Sequence, residues 1–126
     1  MAQAAVNISE RAQSEALEVA VLDRDHLARM TFGDHSLERE VLQLFDRQSE
    51  LLLDRMRASE PAAIATLAHT LKGSAVGIGA TRVASAAAEV EATAQAKPAE
   101  SSRAIDELAQ AVEEARAAIS ALIRAH

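Results

Sequence analysis

The stretch LAHTLKGSAVGIGA, Leu67 to Ala80, places a lysine three residues and a glycine four residues after His69. On a helix, residues three and four apart are neighbours, so Lys72 and Gly73 sit one turn from the imidazole. A neutral imidazole can attack a phosphoryl group while a nearby ammonium steadies the charged oxygens. Gly73 is the odd member of the set. A glycine inside a helix costs about 1 kcal/mol relative to alanine, so its presence calls for an offsetting use.

The face on which these residues lie decides their meaning. Ile64, Leu67, Ala68, Leu71, Ala75 and Ile78 form a narrow apolar stripe at helical spacing, the side expected to meet a core. His69 lies about 160° from the centre of that stripe. Ala62, Ala65, Thr66, Lys72, Gly73 and Val76 are its companions on the outward face, a candidate docking surface of small residues. An exposed histidine is ordinarily a solvated surface residue, and small residues on a helix ordinarily mark helix packing. Gly73 is turned away from the core, where packing gives no reason for it, and this favours a site around His69. His26, His35 and His126 have no such neighbours and are read as surface residues.

The elements that must hold this face follow from the hydrophobic periods. Residues 1–20 are weakly patterned and read as a frayed or short accessory helix, with Ser9 as a cap for Glu10 to Val19; the domain proper is expected over residues 21–126. LDRDHLARM reads as a short helix with Leu22, Leu27 and Met30 inward. Gly33 breaks it, and Asp34 caps the next helix. That long helix, about His35 to Ser59, carries Leu37, Val41, Leu44, Phe45, Leu51, Leu52 and Met56 inward, with Leu42 and Leu53 widening the stripe. Pro61 suits the first turn of a third helix, which Gly77 and Gly79 end. A fourth, Thr81 to Lys97, presents Val83, Ala87, Val90 and Ala94. A fifth, about Ser101 to Arg124, repeats Ile105, Leu108, Val112, Ala115, Ile119 and Leu122 in a heptad seam. Long helices with short connections predict an all-α fold, an antiparallel up-down four-helix bundle with an accessory N-terminal helical segment.

Composition narrows the function classes. Aromatics make up only 2% of the chain against 49% apolar residues, so the core must be aliphatic and alanine-rich. Four glycines and two prolines are too few for a turn-rich β protein. The absence of cysteine removes disulfides and thiolate chemistry. A net charge of -6 leaves no basic face for nucleic acid. No apolar run reaches membrane-spanning length, and the N-terminus lacks a basic-then-apolar signal pattern. The expectation is a soluble, cytoplasmic protein.

From about Leu22 to Leu122 the chain resembles the histidine-containing phosphotransfer (HPt) domain family, whose members relay phosphoryl groups in two-component signalling. The family motif His-any-Leu-Lys-Gly is matched by His69, Thr70, Leu71, Lys72 and Gly73, with Ser74, Gly79 and Ala80 in register and Ala68 before the histidine. Upstream, Leu22, Asp23, Gly33, Asp34, Glu40, Val41, Leu42 and Phe45 fit the family's Leu-Asp, Gly-Asp and Glu-Leu-Leu-Phe pattern. The resemblance implies that His69 is the phosphoacceptor, that Lys72 gives electrostatic support, and that Gly73 admits a partner. It implies response-regulator receiver domains and a sensor histidine kinase as partners, and a stoichiometric carrier without ATP-dependent kinase activity. No cofactor or metal site is expected on this chain; Mg²⁺ would belong to the receiver.

Some family members hydrogen-bond the histidine from a Glu or Gln on the following helix. The turn at Gly77 to Thr81 brings residues near 90 level with His69, so Glu91 is the candidate; it is equally readable as a solvated charge, while Glu89 points to solvent. Two other classes compete. A dimerising histidine-kinase stalk usually has an acidic residue after its histidine, where Thr70 stands here, and no Gly-rich nucleotide motif is present. A helical adaptor that binds signalling partners without phosphorylation would leave His69 unused. A bundle completed within one chain is expected to be a monomer.

Overall fold

The structure, a computed structural model, describes residues 2–125, with side chains from residue 9 onward. Six helices follow one another: α1 (Ala2–Val21), α2 (Arg24–Met30), α3 (His35–Arg57), α4 (Pro61–Ile78), α5 (Thr81–Ala96) and α6 (Ser101–Ala125), with a 3₁₀ turn at Pro98–Glu100. The fold is a helical bundle, and the described residues contain no strand. His126, expected at the surface, lies outside the described residues.

The helix starts follow from local chemistry. Asp34 caps α3, its carboxylate accepting from the N–H groups of Ser36 and Leu37. Pro61 opens α4, where its missing N–H costs nothing. Asp23 caps α2 by accepting from His26 N–H at 3.1 Å.

Around the bundle α3 packs on α4, α4 on α5, α5 on α6, and α6 back on α3. Arg39, Asp46 and Arg57 of α3 meet Ile123, Arg116 and Asp106 of α6 respectively. Residue numbers rise on one helix as they fall on the other, so this pair is antiparallel. Asp46 and Glu50 both engage Arg116. The Asp46 hydrogen bond, reinforced by the nearby carboxylates, holds the Arg116 guanidinium above its ordinary range against the opposing effect of burial.

The core is aliphatic. From α3 it takes Leu42, Phe45, Leu52 and Met56; from α4 Ile64, Ala68, Leu71, Ala75 and Ile78; from α5 Val83, Ala87, Val90 and Ala94. The α6 seam from Ile105 to Leu122 is buried as its heptad spacing predicts. Alanine on both sides of the α4–α5 contact leaves little bulk between the two backbones, and these helices make the most extensive contact in the molecule.

Several placements differ from the sequence expectation. The N-terminal segment is one continuous helix; its alanine-rich start has high helix propensity, so Ser9 lies inside α1 and caps nothing. Residues 9 to 19 are exposed, and the main contacts of α1 are with α5 and α6. On α3 the inward stripe is Glu38, Leu42, Phe45, Ser49, Leu52 and Met56, whereas Leu37, Leu44 and Leu51 are exposed. Two apolar stripes run side by side there, and only the one between α4 and α6 is covered. Met30 is exposed because α2 ends at the rim of the bundle, with Leu27 its one fully buried side chain. His26 is half-buried and not a solvated surface residue; its Nε2 is buried without a hydrogen-bond partner.

One glycine has a backbone role. Gly79 ends α4 in the left-handed region at φ 81°, and its carbonyl accepts from Asp23 N–H at 2.9 Å. A Cβ at position 79 would stand 3.0 Å from the Asp23 carbonyl oxygen. Gly79→Ala is expected to destabilise the domain by about 2–4 kcal/mol, from left-handed strain plus this clash. A melting transition within a degree of the parent would show that the turn yields freely.

Candidate functional site

The site is built on the outer side of α4 and the adjoining edge of α5. His69 is exposed, with 66% of its side-chain surface open. Its Nδ1 lies 3.0 Å from Glu91 Oε2. An ionised carboxylate only accepts hydrogen bonds, so opposite an ionised Glu91 the ring donates from Nδ1, and in the neutral ring the Nε2 lone pair is then free. The other Glu91 oxygen, Oε1, lies 3.5 Å from Lys72 Nζ. One carboxylate therefore joins both basic residues of the motif. Glu91 itself is 24% exposed, tucked between the helices and not standing in solvent.

Local sequence explains this convergence. Val90 and Ala94 bury one side of α5, which directs Glu91 to the α4 edge. Ala87 and Ala68 keep the two helices near enough for a glutamate to reach across. Lys72 follows His69 by three positions, and helical side chains lean toward the helix N-terminus. Its ammonium is thereby carried back toward the ring.

The surface beside His69 is smooth. Ala62, Thr66, Gly73 and Val76 are exposed as expected. The Thr66 and Thr70 hydroxyls donate to the carbonyls of Ala62 and Thr66, each at 3.2 Å, and so are turned back onto the helix. A Cβ at Gly73 would meet nothing within 4 Å, and Gly73 does not adopt a positive φ. Neither packing nor backbone conformation requires glycine there.

Ala65 is the exception and corrects the expected face. It is buried, 7% exposed, within the core. A single-stripe wheel treats α4 as touching one neighbour, but α4 is wedged between α3 and α5. Its buried arc is correspondingly wide and takes in Ala65 at about 60° from Ala68.

Leu37, Leu44 and Leu51 of α3, expected inward, are exposed instead. Ser74 Oγ donates to Gln48 Oε1 at 3.2 Å, which puts Gln48 at the α4 edge of α3. Leu44 and Leu51 flank Gln48 one turn to each side, and both are exposed. Leu37 continues the row at the same seven-residue spacing. That regular spacing, offset from the core heptad, was the available signal. Phe32, 90% exposed and held at φ 56°, lies in the turn before α3.

Among the described residues no helix is long and apolar enough to cross a membrane. An aliphatic helical bundle bearing an accessible histidine and a lysine one turn on, beside a small-residue surface, defines a class of carrier and docking modules. A family model of the Hpt domain matches residues 36–118, well over half of the chain, and the protein belongs to that family. No curated protein matches the chain. Hpt domains serve histidine phosphotransfer in two-component phosphorelays and are phosphocarriers rather than kinases. Their partners are receiver domains and histidine kinases.

Proposed function

We propose that this protein accepts a phosphoryl group on His69 Nε2 from a receiver-domain aspartate or a sensor kinase and passes it to the aspartate of another receiver. The observation that carries the reading is the Glu91 contact with Nδ1 beside an otherwise open ring. With Nδ1 donating to Glu91, Nε2 of the neutral ring is the nitrogen with a lone pair available, on a side chain that is 66% exposed. Phosphoryl transfer needs little from the carrier beyond position and charge. His69 is the nucleophile, Lys72 supports the charged oxygens, and Glu91 holds the ring. Ala62, Thr66, Gly73 and Val76 form the receiver docking face, and the Leu44–Leu51 ridge extends it across α3. The divalent cation this chemistry uses is supplied by the receiver. The carrier works as a cytoplasmic monomer, its core being closed within one chain.

The test is transfer of labelled phosphate from each phosphorylated receiver and kinase of the source organism. Label should pass to this chain from a small subset, and none from ATP alone. Labelling from ATP alone would make the chain a kinase; no label from any donor would make it an adaptor. In the same assay Lys72→Ala is expected to slow transfer by about five- to thirtyfold, the loss of one charge contact at an exposed site. Its helicity should be unchanged, since Lys72 is half-exposed and fills no core space. Unaltered transfer kinetics would reduce Lys72 to a surface charge.

A further inference from the structure

Resting on the phosphotransfer reading, we infer that Glu91, by bridging His69 Nδ1 and Lys72 Nζ, makes the phosphorylated state of His69 short-lived and so biases the carrier toward passing its group on. Both contacts come from one carboxylate, at 3.0 Å and 3.5 Å. A neutral amide at position 91 would accept the same hydrogen bond without the charge. The charge is therefore the feature to explain.

The two transfers show where it acts. In loading, the Nε2 lone pair attacks phosphorus of an aspartyl phosphate. The phosphorus–oxygen bond breaks, its electron pair stays on the departing carboxylate, and the ring gains a positive charge while Nδ1 keeps its proton. In unloading, a carboxylate oxygen of the next receiver attacks phosphorus. The nitrogen–phosphorus bond breaks, its electron pair returns to Nε2, and the ring leaves neutral with Nδ1–H still in place. A ring that lost the Nδ1 proton between the two steps would leave as an imidazolate, a far poorer leaving group. The Glu91 charge opposes that loss by stabilising the cationic ring. The same carboxylate, 3.5 Å from the Lys72 ammonium, draws on its charge and so weakens the support it gives the phosphoryl oxygens. Both effects shorten the stay of the phosphoryl group.

The inference is tested without a cognate partner. The parent protein and Glu91→Gln are phosphorylated with phosphoramidate, the donor is removed, and the phosphohistidine signal is followed by ³¹P NMR at one slightly alkaline pH. Glu91→Gln should hold its phosphoryl group about three- to tenfold longer, as expected for losing one nearby charge at a partly exposed site. The Nδ1–H resonance of the phosphorylated ring, seen with ¹⁵N-labelled histidine, should be present in the parent and lost in the variant, with both melting alike. Adding Lys72→Met to Glu91→Gln should return part of the gained lifetime; no return would overturn the lysine half of the inference. Equal lifetimes and an Nδ1–H retained in both proteins would overturn the inference while leaving phosphotransfer intact. A parent His69 that takes no phosphoryl group would overturn the phosphotransfer reading itself.

Discussion

His69→Gln should abolish phosphorylation and leave the bundle as it is. The ring is 66% exposed and contacts Glu91, so its removal opens no cavity in the core. Glutamine has an amide where the imidazole has a lone-pair nitrogen, and an amide nitrogen is no nucleophile toward phosphorus. The expected loss is at least a thousandfold, down to background. The other described histidines do not replace it: His26 has its Nε2 buried, and His35, at the start of α3, has no lysine one turn away. In the parent the label should be acid-labile and alkali-stable, as a phosphoramidate is. Far-UV circular dichroism and melting of the variant should match the parent. Label retained at parental level would place the acceptor elsewhere and remove the basis for every role assigned around it.

The parts that could be read from sequence and the parts that could not differ for physical reasons. The α6 seam was legible because that helix buries one face, and a single stripe has a single period. The start of α4 at Pro61 and its stop at Gly79 were legible because both residues act through their own backbones, whereas Gly77, also expected to end the helix, lies inside it without positive φ. On α3 the same arithmetic failed. Leu37, Leu44 and Leu51 repeat as regularly as the buried set, and hydrophobicity alone does not say which stripe is covered. The neighbours decide that, and here α4 and α6 flank the set that contains the polar Glu38 and Ser49. Ala65 failed for a related reason: the width of the buried arc on α4 depends on α5, which a one-helix wheel omits. The level of Glu91 could be placed from the turn length. Its second contact, to Lys72, depends on side-chain reach across two helices and carries no sequence period.

Gly73 gives the second large effect, and it separates access from packing. The position is mid-helix without positive φ, and a Cβ there meets nothing within 4 Å. Gly73→Ala should therefore stabilise the domain by up to about 1 kcal/mol, alanine being the better helix former. Gly73→Leu should also fold, with a melting transition at or slightly above that of the parent. Transfer should fall for both, and far more for leucine. A helical side chain leans toward the N-terminus of its helix and covers the turn before its own Cα, so Leu at 73 would lie over position 69. It would stand where the incoming aspartyl phosphate must approach Nε2, and in-line attack tolerates little displacement; about a hundredfold loss for roughly 1 Å of misplacement sets the scale. Melting and transfer rate should be measured on the same three samples. A folded, thermally undiminished Gly73→Leu with transfer lost is the expected signature. An unfolded Gly73→Leu would make Gly73 a packing residue and this face an internal one. Normal transfer by a folded Gly73→Leu would put the docking surface on another side of the bundle.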